Sequence, residues 1–148
     1  MIATTSRDGK AQRLKALGAD EVINYVTHEA WDKEVMRVTG DKGVDCVVEV
    51  GGAGTLQRSY NSIGRGGKIG LIGVLTQGTS NPHTLMMKGA SLHGIFVGDR
   101  TMFEQLNAAI NVNRIKPLID KVFPFEQAKD AWRHQISGDF MGKVVIAV

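Results

Sequence analysis

The stretch that most restricts how this chain can fold is Val44 to Val74, VDCVVEVGGAGTLQRSYNSIGRGGKIGLIGV. Two apolar runs, VDCVVEV and KIGLIGV, flank a polar segment of helical length, and each ends in glycine where a strand would leave a sheet. That pattern is a β-α-β unit. The first run is rich in β-branched residues and polar only at alternate positions, as a strand buried on at least one face requires. Gly51, Gly52 and Gly54 then leave main chain without side-chain cover, and Gly64, Gly66 and Gly67 form the turn into the second run. Gly70 and Gly73 within that run permit something flat to lie against the strand end. In open α/β sheets, ligands bind at such ends.

Taken in order, the rest of the chain alternates strand and helix patterns. Residues 1–5 and 22–25 read as strands, and 8–17 as a helix with Ser6 or Asp8 as N-cap and Gly18 as its stop. Residues 29–38 form an amphipathic helix, because Trp31, Val35 and Val38 recur at helical spacing. After the central unit come a short helix at 84–88, a strand at 91–97, and a helix at 102–112 with Phe103, Leu106 and Ile110 on one face. A brief strand at Val122 and Phe123, a helix at 125–136 carrying Ala128, Ala131 and Trp132 inward, and a strand at 143–148 close the chain. This alternation predicts an α/β fold, a doubly wound parallel sheet with helices on both faces.

Composition narrows the function classes. A length of 148 residues suits one domain with a real core, and 43% hydrophobic with 22% charged residues is ordinary for a soluble protein. The net charge of +3 is scattered without a run, which favours small anionic ligands over nucleic acid. The single cysteine, Cys46, excludes an internal disulfide and any cysteine-cluster zinc site, and suits a reducing compartment. No apolar run reaches transmembrane length and no signal-peptide pattern is present, so the expected location is cytoplasmic and away from membranes.

No G-x-G-x-x-G and no Walker A pattern occurs. The ordered strings ATTSRDGKAQRLKALGADEVINY, GVDCVVEVGG, GRGGKIGLIGV, SLHGIFVG and FPFEQAKDAWRHQISGDFMGKVVIAV nevertheless resemble the cofactor-binding half of the medium-chain dehydrogenase/reductase family, which includes zinc-type alcohol dehydrogenases and zinc-free quinone or enoyl reductases. The resemblance runs from residue 1 to residue 148. It implies a Rossmann-like domain that starts at the family's second strand, without the first strand, its glycine-rich turn and the N-terminal catalytic domain. In the 3-2-1-4-5-6 order that first strand lies between the strands at 1–5 and 44–50. The sheet then keeps a gap there, pairs those two strands directly, or depends on another chain. By the same resemblance, residues 1–98 are a partial NAD(P)-binding domain and 99–148 return toward the absent catalytic domain.

The resemblance also assigns cofactor-binding residues. Where NAD-preferring members hold a carboxylate at the end of the second strand, this chain has Thr5, Ser6 and Arg7, with Lys10 a turn later. Hydroxyls and cations in that place imply NADP(H) over NAD(H), the plainer alternative being an N-cap and a solvated helix start. Val50, Gly51 and Gly52 match positions beside the ribose groups, and Ile72, Gly73 and Val74 match the strand end on which the nicotinamide packs. Ile95, Phe96 and Val97 match the segment whose main chain holds the carboxamide. Lys143 matches a basic position near the phosphates, or is an ordinary exposed lysine at a strand start.

No catalytic residue and no zinc ligand is expected in this chain. Its four histidines lie far apart. Cys46 reads as strand packing, and Asp45 and Glu49, on one side of their strand, as structural or exposed. The function implied is the NADP(H)-binding part of an oxidoreductase moving hydride between nicotinamide and an alcohol, carbonyl, activated alkene or quinone held by the absent domain. The edge strand at 91–97 would pair with its mate in a homodimer. The alternative is a non-catalytic nucleotide-binding or interaction module.

Overall fold

The computed structural model describes residues 1–148. Its first unit, Met1–Val97, contains β1 (Ile2–Thr5), α1 (Asp8–Ala16), β2 (Glu21–Asn24), α2 (Trp31–Val38), β3 (Val44–Glu49), α3 (Ala53–Ser62), β4 (Ile63–Leu71), α4 (His83–Lys88) and β5 (Ser91–Gly94). The second unit, Gly98–Val148, contains α5 (Arg100–Val112), β6 (Ile119–Pro124), a 3-10 turn at Phe125–Gln127, α6 (Ala128–Ser137) and β7 (Lys143–Ala147).

Every strand pair is parallel: β1 with β2, β3 with β4, β4 with β5, and β6 with β7. Each pair is joined through a helix, as parallel neighbours require, and the result is the doubly wound Rossmann-like fold expected of the alternation. One detail of the central unit differs from expectation. The glycines at 64, 66 and 67 do not precede β4 but bulge within it, since Val44 faces Ile63 and Cys46 already faces Lys68. Gly66 takes φ +71°, which only glycine adopts without strain.

The core of the first unit is the inner face of this β-α-β unit. Ile63 and Ile69 are fully buried on β4, and Leu56 and Tyr60, one helical turn apart on α3, pack against them. Each such fully buried side chain contributes roughly 1.5–3 kcal/mol. The exit of α3 is fixed by Lys88, whose ammonium donates to the carbonyls of Tyr60 (3.1 Å), Asn61 (2.6 Å) and Ile63 (2.7 Å). These are the carbonyls a helix end leaves without internal partners, and a cation there also complements the helix dipole. Burial pulls the Lys88 pKa down, yet the three acceptors use all three of its protons. Lys88→Met keeps the apolar stem and removes the donors. It should destabilise the chain by about 2 kcal/mol in urea unfolding, with little change in the slope.

Two expected packing faces are not covered. Helix α5 starts with a sound cap, Asp99 accepting from the Met102 N–H at 2.8 Å, but Phe103 and Leu106 stay exposed, so its apolar stripe has no cover. On α6, Ala131 is buried as expected whereas Trp132 is 64% exposed. Cys46, read from the sequence as buried packing, is exposed. The cause is the sheet: β1 and β3 do not pair, and a cleft of about 1290 Å³ separates them, walled by residues 1–4 on one side and 44–51 on the other. Direct pairing of β1 with β3, one of the three arrangements open to the sequence, does not occur. No helix of the chain is long and apolar enough to cross a membrane.

Candidate functional site

The carboxyl ends of β3, β4 and β5 lie side by side, and the connections leaving them are laced together by main-chain bonds. Ile72 and Gly73 donate N–H to the Glu49 carbonyl, both at 2.9 Å, and Ile95 donates to the Leu71 carbonyl at 2.9 Å. Leu75 and Thr76 donate to the Gly51 carbonyl, each at 3.1 Å. Val50, Gly51, Gly52, Ile72, Gly73, Val74 and Ile95 are thereby gathered at one sheet edge.

Glycine is required here by contact as well as by torsion. A Cβ on Gly73 would stand 2.1 Å from the carbonyl carbon and oxygen of Val50, and Gly52 adopts φ +102° with the Gly73 carbonyl 3.0 Å from its Cβ position. The sequence suggested that these glycines bare the chain for a ligand. Gly73 lets the main chain leaving β4 lie directly against that leaving β3, and the exposed surface around it is apolar. Val50 (58%), Val74 (88%) and Phe96 (91%) are exposed around it. β5 stops at Gly94, short of the expected 97, so Ile95, Phe96 and Val97 leave the sheet as an exposed segment.

Beneath the turn sits a buried charge whose role the sequence reading missed. Glu49 Oε1 accepts from the N–H of Gly51 (2.8 Å) and Gly52 (3.0 Å) and from the Thr55 hydroxyl (2.6 Å), and Oε2 accepts from the Ser59 hydroxyl. Burial opposes ionisation, but these four donors outweigh it and hold the carboxyl below the usual carboxylate range. The available signal was a glutamate two residues before a Gly-Gly pair, with hydroxyl residues six and ten positions on. Asp45, on the same strand, is exposed.

At the end of β1 the predicted hydroxyl and cation cluster divides. Thr5 is buried, and its hydroxyl oxygen accepts from the Arg7 N–H at 3.4 Å. Ser6 and Lys10 are half-buried and Arg7 is exposed. Asp8 opens α1 and accepts from the Asn24 side-chain amide at 2.8 Å. A carboxylate thus stands three residues past this strand end, between the Arg7 and Lys10 cations. Lys143 opens β7 in the second unit, exposed, with its N–H donated to the Leu118 carbonyl at 2.8 Å.

The donor set does not fit zinc. No group of three or more His, Cys, Asp or Glu side chains converges on a metal-sized site. His28 meets Thr27, His93 meets Ser91, and His134 bonds Asp120 at 2.8 Å, each in a different part of the chain.

With that geometry in hand, known proteins can be set beside the chain. The family model for zinc-binding dehydrogenases matches residues 1–111. A zinc-type alcohol dehydrogenase-like protein of Schizosaccharomyces pombe is 38% identical, over 100% of this chain and 44% of the relative. An NAD-dependent alcohol dehydrogenase of Sulfolobus acidocaldarius is 33% identical over 89% of this chain and 38% of its own length. A crystal structure of an NAD-dependent alcohol dehydrogenase superposes with TM-score 0.84 at 33% identity, over 99% of this chain and 43% of that one. The chain therefore spans less than half the length of the curated relatives it matches. These likenesses overturn the expectation of NADP(H): the two relatives at 33% identity use NAD, while in this chain Thr5 is buried and Asp8 sets a carboxylate beside the basic residues.

Proposed function

The chain belongs to the zinc-binding dehydrogenase family of medium-chain dehydrogenases/reductases, and from that premise we propose that it binds and orients NAD(H) for a nicotinamide-dependent oxidoreductase. One observation carries the reading: three parallel strands end together beside an exposed apolar surface made by Val50, Val74 and Phe96. That surface fits the flat, uncharged parts of a dinucleotide.

Val50, Gly51, Gly52, Ile72, Gly73 and Val74 would form the seat, with the main chain of Ile95, Phe96 and Val97 beside it. Thr5, Ser6, Arg7 and Lys10 would border the adenosine ribose, and Lys143 would serve the phosphates. When bound, the cofactor supplies hydride exchange with an alcohol, carbonyl, activated alkene or quinone. This chain's own part is to hold and aim it. The proton donor and the substrate pocket belong to protein beyond these residues. In this reading residues 1–98 are the cofactor part, 99–148 turn toward a catalytic domain, and β5 with its following segment forms the edge of a homodimer.

The second reading is a nucleotide-binding or interaction module without catalysis. Titration of the chain with NADH and NADPH, followed by calorimetry, tests the proposal. NADH should bind with a Kd on the order of millimolar and more tightly than NADPH. Equal indifference to both would leave the module reading standing, and tighter NADPH binding would remove the argument from Asp8.

A further inference from the structure

The turn after β3 is built around a charge that the cofactor reading leaves unused. Glu49 is 4% exposed, and three of its four donors converge on one oxygen. The N–H groups of Gly51 and Gly52 lie at the start of α3, where a helix presents partial positive charge and would draw a phosphate. The protein's own carboxylate fills that place. The turn's carbonyls are engaged as well, Gly51 by Leu75 and Thr76 and Gly52 by Thr55 and Leu56. What faces outward is the apolar surface of Val50 and Val74.

We infer that Glu49 is a positioning residue: by occupying the Gly51 and Gly52 N–H groups it bars phosphate from the end of β3 and leaves that end to the uncharged ribose or ring of a dinucleotide. This rests on the cofactor reading and adds what that reading lacks, a cause for the cofactor's orientation. The claim is about charge placement, not only stability. Removing the charge must therefore change which ligand groups the turn accepts.

The test follows the Gly51 and Gly52 amide signals of the isotope-labelled full chain by NMR, against NADH and against inorganic pyrophosphate. In the wild type NADH should shift both signals and pyrophosphate neither. In Glu49→Gln, whose amide group cannot accept from every donor, pyrophosphate should shift both, and NADH affinity should fall roughly tenfold. Ser59→Ala, which loses only the Oε2 partner, should lower stability and keep the wild-type preference. If the two variants behave alike, or if pyrophosphate moves the wild-type amides, the inference is overturned. Should Glu49→Gln fail to fold, Glu49→Asp decides: it must weaken NADH binding while still ignoring pyrophosphate. If the wild type ignores NADH altogether, the cofactor reading falls, and the pyrophosphate arm still determines whether Glu49 excludes anions.

Discussion

Gly73→Ala should lower the stability of the chain by about 3 kcal/mol, near the upper end for an overpacked site, and its melting temperature by roughly 10 °C. The added methyl would meet the carbonyl group of Val50 at 2.1 Å and the Gly51 nitrogen at 2.7 Å, all of it main chain. Main chain cannot rotate aside as a side chain can, so the ends of β3 and β4 must separate. That separation strains the pair of bonds from Ile72 and Gly73 to the Glu49 carbonyl. Gly94→Ala is the control, because a Cβ there meets nothing within 4 Å and needs no positive φ. It should be neutral or slightly stabilising by calorimetry. Equal effects of the two substitutions would mean that the strand ends are not in contact.

Glu49→Ala should cost about 2–4 kcal/mol, the scale for leaving buried neutral donors without their charged acceptor. It leaves the Ser59 hydroxyl and the Gly52 N–H buried with no acceptor in place of the carboxylate. The wild type should also show the matching pH dependence. The folded-state pKa lies below the usual value of 4.5, so the unfolded chain binds the proton more readily. The contribution is present in full above 4.5 and is lost as pH falls through the folded pKa. Chemical denaturation across that range should show a steeper acid loss for wild type than for Glu49→Ala. Parallel pH profiles would show that the carboxyl keeps the same pKa folded and unfolded.

Much of the fold was legible because periodicity and glycine placement act locally. The central β-α-β unit, the parallel pairing and the closing strand all follow from runs a few residues long. Burial was harder to read, because it depends on what lies next to an element. Cys46 and Phe103 carry strand and helix patterns correctly, yet they are exposed where no neighbour covers them. At the site, the apolar strand ends were visible as sequence; the Glu49 network was harder to see, since its donors are spread over ten residues and converge only when the turn and α3 form. The cofactor preference misled for a related reason. Hydroxyl and basic residues were counted by type, whereas Thr5 is buried and Asp8 places a carboxylate among the cations.

β1 and β3 exchange no ladder bond among these residues, so the two sheets of the first unit are joined through their helices: α2 packs on α3, where the Asn61 amide donates to the Asp32 carboxylate at 2.8 Å.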